Sequence, residues 1–320
     1  MQKIDQDDFL ELSKQINNPF SREIIQRNIN PIYGEGTFNW RDFGNGVASS
    51  SFSYNLKDDY NICLSSNIPG AVIIYNLADT IEYIFKNKDK ARLEKNSFFI
   101  GLASDDFYAE MSLKKKSLYK VVTIGIKEEL FLELAKNLEN LDEKINLAHK
   151  NGHYLIKGAY IDSFQYDILS YLSDEIVDDN ILSSLKLESI SLSLGHYTIN
   201  KLIQNKYAQN TTIKDEKIRS LEKAKEIIIK DYASSLTIKE IAYKSAINEC
   251  YLKKDFKIYY GMTVYEMLQH QRLKVAKELL NDSISVKEVA MAVGYKHTGH
   301  FSKLFLNKYK VSPSLYRKQN

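Results

Sequence analysis

Cysteine and early histidine are scarce in this chain, and each scarcity excludes something. The 320 residues include two cysteines, Cys63 and Cys250, far apart in sequence. That pair does not make a disulfide framework, and a reducing cytoplasm is the expected compartment. All six histidines lie at or after His149. A metal-dependent enzyme needs clustered histidine and carboxylate ligands, so residues 1–148 are not expected to form one. His149 and His153 stand four apart, but Asn151-Gly152 between them argues for a turn rather than a ligand pair. No apolar run approaches the roughly 18 residues of a membrane span. Met1–Asp8 is polar and acidic, unlike a signal peptide. Walker, Gly-x-Gly-x-x-Gly and Gly-x-Ser-x-Gly motifs are missing, and no nucleophile-plus-base arrangement stands out. Neither a catalytic residue nor a cofactor is expected.

What is present is a repeat. Leu236-Thr-Ile-Lys-Glu-Ile-Ala242 returns as Ile284-Ser-Val-Lys-Glu-Val-Ala290, and Leu252 and Phe256 return as Phe301 and Phe305. The second copy is one residue longer, between Ala290 and Phe301. Each copy opens on a capping box, Thr237 with Glu240 and Ser285 with Glu288. Apolar residues follow at helical spacing, Ile238, Ile241 and Ala242, then Val286, Val289 and Ala290. Gly294 marks the turn in copy two, where copy one has Ala246. Second helices are expected over Asn248–Tyr259 and Thr298–Lys308, each burying its i, i+4 pair. Two short helices crossing at a tight turn make a helix-turn-helix, whose second helix fits the DNA major groove. Between the copies, Thr263 caps a helix with Val264, Leu268, Val275 and Leu279 as one apolar stripe. It would hold the two recognition helices about one DNA turn apart. Ser312-Pro313 starts a last helix.

The run Leu236–Arg317 resembles the DNA-binding domain of the AraC/XylS regulators. Gly261–Leu280 is similar to the family's linker. Val293–Phe305 and Ser312–Arg317 are similar to its signature. The resemblance covers about the last third of the chain. Lys310 stands where the family has glycine, and Asn248 and Gly299 where it has serine. Ile247–Phe256 and Lys296–Phe301 further resemble the PchR-like subgroup, regulators that sense ferric siderophores and switch on iron uptake. The resemblance implies a double-stranded promoter DNA partner, a small-molecule effector, contact with RNA polymerase, a homodimer and activation.

Helix geometry leaves Glu249, Cys250, Lys253, Lys254 and Lys257 outward on the first recognition helix. Matched to the family motif, Cys250, Lys253 and Lys254 are the base-contact candidates, with Thr298, Ser302 and Lys303 in copy two. Lys257 and Lys308 are the phosphate-contact candidates. Any one of them is also readable as a solvated side chain, and Cys250 as a filler. His297 and His300 are expected near DNA. Arg272 in the linker is expected to pack.

Charge agrees with that partner. From Lys214 to the end, 21 Lys+Arg meet 12 Asp+Glu, a balance of +9, while the remainder carries 23 against 29, or −6. A basic third suits a polyanion.

The expected fold is α+β: an N-terminal antiparallel β-rich, cupin-like barrel with helices, then an all-α domain with two helix-turn-helix units. The expected domains are 1–150 for effector sensing, 151–213 for helical dimerisation and linkage, and 214–320 for DNA binding. Strands are expected over Thr37–Arg41, Val47–Tyr54, Asn61–Ser65, Gly70–Tyr75, Ser97–Leu102 and Ser117–Ile126, with turns at Gly44-Asn45-Gly46 and Pro69-Gly70. Helices are expected over Asp8–Ile16, Lys127–Leu138, Ile161–Ile176 and Asn180–Tyr207, with Ala208–Lys214 as linker. In the longest, Leu185, Leu192, Ile199 and Leu202 recur at heptad-like spacing, which suits either a dimer seam or packing on the barrel. Effector residues are not fixed by the sequence. Trp40, Arg41, Phe38, Phe52, Tyr54 and Tyr60 would suit an anionic aromatic iron chelate, and suit barrel core and rim as well. An enzyme with an accessory DNA-binding domain, and a regulator answering another metabolite or none, are the alternatives.

Overall fold

The computed structural model describes residues 1–11, 14–17, 23–174, 181–204, 215–281 and 284–319. The chain divides into two compact units, Met1–Gln209 and Asn210–Asn320.

The first unit begins with β1 (Gln2–Asp5), α1 (Gln6–Phe9), β2 (Lys14–Asn17), β3 (Glu23–Asn28), β4 (Gly34–Asp42), β5 (Val47–Leu56) and β6 (Tyr60–Ser66). It continues with β7 (Gly70–Asn76), β8 (Ile81–Phe85), β9 (Lys90–Leu93), β10 (Ser97–Ala103), β11 (Phe107–Leu113) and β12 (Leu118–Lys127). Then come α2 (Glu128–Leu134), α3 (Leu141–Asn151), β13 (His153–Tyr160), α4 (Ser163–Asp174) and α5 (Ile181–Gln204). Among the described residues the strands form an eight-stranded sheet, β13-β10-β7-β12-β5-β4-β3-β2, and a five-stranded sheet, β1-β6-β11-β8-β9. Pairing is antiparallel except for β1 beside β6. From β6 to β12 the chain passes back and forth between the sheets, so Pro69-Gly70 is a change of sheet. The Gly44–Gly46 turn joins a true hairpin, with Asp42 opposite Ala48.

Strand periodicity gives the large sheet two apolar faces. One face, with Tyr54, Phe99, Tyr119 and Val121, shares a core with Ile62, Tyr83, Phe85 and Met111 of the small sheet. The other, with Ile73, Tyr75, Phe98, Val122 and Ile124, is covered by helices through Phe131, Ile145, Leu169, Leu187 and Leu194.

The expected helix over Asp8–Ile16 does not form. α1 stops at Phe9, Leu10 bridges Ile29, and 14–17 form a strand. The Arg27 guanidinium takes the backbone oxygens of Asp7, Leu10 and Glu11, which a longer helix would need for itself. The strands β1, β3, β8, β9, β11 and β13 and the helix α3 were not anticipated. α3 ends at Gly152, left-handed at φ +83°, so the turn expected between His149 and His153 is present. The His149 ring pairs with Glu128 at 2.9 Å.

α5 settles its face on the sheet. Leu187, Leu194 and Ile199 are buried against it, whereas Leu185 and Leu192 are 50% and 39% exposed. The heptad positions therefore do not form one seam. Gly195 sits over the sheet, where a Cβ would stand 3.8 Å from the Ile124 side chain. The expected linker Ala208–Lys214 lies outside the described residues, as do the expected helix ends at Glu175–Ile176, Asn180 and 205–207.

The second unit is helical: α6 (Asp215–Lys230), α7 (Ile238–Lys244), α8 (Glu249–Tyr260), α9 (Val264–Leu279), α10 (Val286–Ala292), α11 (Thr298–Tyr309) and α12 (Pro313–Gln319).

Candidate functional site

The two copies are built alike from the first turn. Thr237 Oγ1 accepts from the Glu240 N–H at 3.2 Å, and Glu240 Oε2 accepts from the Thr237 N–H at 2.9 Å. Ser285 and Glu288 repeat both distances. Thr263 and Glu266 form a third such box at the start of α9. The backbone N–H of Thr237 chiefly holds the Glu240 carboxyl below the usual glutamate range, as Thr263 does for Glu266. For Glu288 the Ser285 hydroxyl leads.

The turns match as well. The N–H of Ile247 reaches the Ala242 oxygen and that of Ala246 the Tyr243 oxygen; Tyr295 to Ala290 and Gly294 to Met291 repeat the pattern. This is a Schellman motif, and it demands a left-handed residue. Gly294 supplies it at φ +87°, and Ala246 is forced into it at φ +53°. Gly294 is constrained twice, since a Cβ there would stand 2.6 Å from the Ala233 oxygen. The extra residue of copy two falls after the turn: Asn248 caps α8 two residues past Ala246, whereas His297 precedes α11 three past Gly294. Asn248 accepts from the Cys250 N–H at 2.8 Å, and His297 makes no side-chain cap.

Packing of each copy on its own first helix fixes which side of the second helix stays free. Leu252, Phe256, Phe301 and Phe305 are fully buried, as are Val289 and Ala290. α9 packs against α6, α8 and α10. Its buried residues are Val264, Leu268, Leu273 and Ala276, with Leu280 at the cap, so the expected stripe through Val275 and Leu279 is displaced. The displacement follows from serving several neighbours, because a helix between two units does not keep one face. Arg272 packs as expected: it donates to the Tyr232 and Ser234 oxygens and lies 5.4 Å over the Tyr295 ring. α6 was not anticipated. Leu221, Ala224 and Ile228 bury it, and Lys217 pairs with the buried Asp255 of α8 at 3.1 Å.

Cys250, Lys253, Lys254 and Lys257 are exposed together on α8. On α11, Lys303 is exposed, and Thr298, Ser302 and Lys308 are half-buried. The Lys308 ammonium lies 5.7 Å from the Tyr309 ring centre. His297 and His300 are exposed. A Cβ on Gly299 would meet nothing within 4 Å, so this side of α11 is open.

The sheet unit holds a cavity of about 650 Å³ between its sheets. Phe38, Trp40, Phe52 and Tyr54 line it; Arg41 and Tyr60 do not. Arg41 is the neighbour of Trp40 along β4, so it emerges on the opposite face, beside Leu172 and Leu187 of the helical layer. Tyr60 packs edge-on to Tyr33. Sequence reasoning missed His153, which lines the cavity stacked on Phe85 at 3.8 Å. Burial pushes its pKa down. Among the described residues no three His, Cys, Asp or Glu side chains are grouped to hold a metal.

Residues 241–319 match the family described as a helix-turn-helix domain. The helical unit thus contains a helix-turn-helix domain. The Msm operon regulatory protein of Streptococcus mutans is 34% identical over 100 residues, 31% of this chain and 36% of its own length. The raffinose operon transcriptional regulatory protein of Pediococcus pentosaceus is 27% identical over 202 residues, 62% of this chain and 68% of its own. Among solved structures, unsaturated fatty acid bound ToxT from Vibrio cholerae aligns over 85% of this chain and 95% of its own, at 18% identity and a TM-score of 0.30. The chain thus spans about a third of the Msm regulator and two thirds of the raffinose regulator.

Proposed function

We propose that the chain is a sequence-specific transcription regulator that binds promoter DNA through α8 and α11 and answers a small molecule held in its sheet unit. The observation that carries this reading is the division of labour on each second helix. One side is fully buried in its own unit, and the other presents Lys253, Lys254 and Lys303 with no packing duty. Cys250, Lys253, Lys254, Thr298, Ser302 and Lys303 face base edges in this reading, and Lys257 and Lys308 meet phosphate. The exposed leucines of α5, Leu182, Leu185 and Leu192, serve a homodimer. Activation through RNA polymerase follows from the family resemblance, and the compartment is the cytoplasm, where promoter DNA is. Among the described residues no helix is long and apolar enough to cross a membrane.

The test separates base from phosphate contacts. Lys303→Ala should cost about 1–3 kcal/mol on cognate DNA and relax sequence preference. Lys257→Ala should weaken all DNA alike and make the salt dependence shallower. Equal losses on cognate and random DNA for Lys303→Ala would remove it from the base-reading set.

The effector sits in the cavity between the sheets. A ferric siderophore controlling iron-uptake genes is the second reading, supported by the likeness of α8 and α11 to the PchR-like subgroup. The cavity gives it little: the guanidinium considered beside Trp40 lies behind the sheet, and among the described residues the one lysine lining the space is Lys127, which is exposed. Quenching of Trp40 emission by iron-loaded but not iron-free siderophores would favour that reading.

A further inference from the structure

The floor of the sheet-unit cavity is formed by the large sheet, and its register orders the floor into rows. Gly101 of β10 pairs with Val72 of β7, Val72 with Gly125 of β12, and Gly125 with Ala48 of β5. All four residues line the cavity. Four neighbouring strands make this row roughly 14 Å long at the usual strand spacing. Neither glycine has a positive φ, and neither is crowded. A Cβ on Gly125 would come no nearer than 3.9 Å to the Ala48 oxygen, and one on Gly101 would meet Leu155 at 3.7 Å. Glycine inside a strand weakens it, so these two are not there for the sheet. What they do is leave a flat trough.

The next row holds Ile74, Thr123, Ser50 and Trp40. Ser50 Oγ and Thr123 Oγ1 lie 2.7 Å apart, sharing one hydrogen bond and leaving acceptor capacity toward the cavity. Phe38, Phe52, Phe85 and Phe107 supply aromatic wall. Ionised lining groups are confined to the strand ends, Asp42 half-exposed at the end of β4 and Lys127 exposed at the end of β12. A charge carried to the middle of the floor would lose its water, with charged lining groups to meet it only at the strand ends.

We propose that this cavity binds an uncharged, flat, largely apolar ring compound, which lies along the Gly101–Gly125 trough and hydrogen-bonds the Ser50–Thr123 pair. The proposal rests on the reading of the sheet unit as the sensor and names the chemical class it senses. Trough length and volume admit two or three fused or linked rings.

Two fluorescent probes of one shape test it on the full chain. N-phenyl-1-naphthylamine is neutral, and 1-anilinonaphthalene-8-sulfonate is the same skeleton with an added anion. The neutral probe should bind saturably at one site, and the sulfonate about tenfold or more weakly. Gly125→Val and Gly101→Val should each weaken the neutral probe about tenfold or more, with a melting temperature held or raised, because valine fills the trough and favours strand. Equal affinity for the two probes on the unaltered chain would overturn the proposal, whether or not the variants fold. So would unchanged affinity in both folded valine variants. Probe binding as expected, without any change in affinity for DNA, would instead count against the sensor reading and leave the ligand class standing.

Discussion

Ala246 is where this molecule departs from its own repeat. It occupies a left-handed position at φ +53° that Gly294 fills in the second copy. A Cβ in that region costs about 1–2 kcal/mol, offset in part by the greater freedom of glycine in the unfolded chain. Ala246→Gly should therefore stabilise the chain by roughly 0.5–1 kcal/mol in urea unfolding. Gly294→Ala should destabilise it by about 2 kcal/mol or more, since strain adds to the clash with the Ala233 oxygen. Equal and small effects from both substitutions would contradict the shared turn geometry. The position was legible as a turn from the repeat, because Ala246 aligns with a glycine. Of the two readings left open for Trp40 and Arg41, a shared binding surface is the one the fold does not support, since strand periodicity places adjacent side chains on opposite faces. His153 could not be tied to the cavity from sequence: it enters through β13, whose partner β10 lies about 50 residues earlier.

At the scale of elements, three of the helical unit's helices begin on the same device. Glu240, Glu266 and Glu288 are each ionised against the backbone N–H and hydroxyl of a capping residue, and their pKa values fall below the ordinary 4.5. A carboxyl with a lowered folded pKa binds fewer protons folded than unfolded. Its contribution is complete above about pH 4.5 and is lost as pH falls through the lowered value. Replacing all three by glutamine should flatten the fall in melting temperature on acidification below about pH 4.5. The same acid slope in the substituted and unaltered chains would show that the boxes do not carry it. These starts were the most legible part of the chain, since Thr or Ser followed by Glu three residues on is a local pattern. α6 was invisible for the opposite reason. Its role is set by partners such as Asp255, far along the chain, and it follows directly on the polar stretch Ala208–Lys214, the expected linker. The helix expected over Asp8–Ile16 failed likewise, through Arg27 and Ile29, which local spacing does not include.

At the scale of the whole molecule, the two units divide charge as they divide structure. The stretch from Lys214 onward carries +9 and the rest −6, so in the proposed reading long-range attraction to a polyanion belongs to the helical unit. The sheet unit offers a largely apolar cavity instead, whose ionised lining among the described residues is Asp42 and Lys127 at strand ends. As the recognition helices of the proposed function, α8 and α11, joined through α9, make a specific demand on DNA. Each needs its own major-groove segment, so a site must contain two boxes about one helical turn apart. The most direct measurement is selection of binding sites from a randomised duplex library with the full chain, with Lys254→Ala and Lys303→Ala run beside it. The account predicts a consensus with two boxes about 10 base pairs apart, one relaxed by each substitution. Enrichment of no sequence, or of a single box that both substitutions relax, would contradict it.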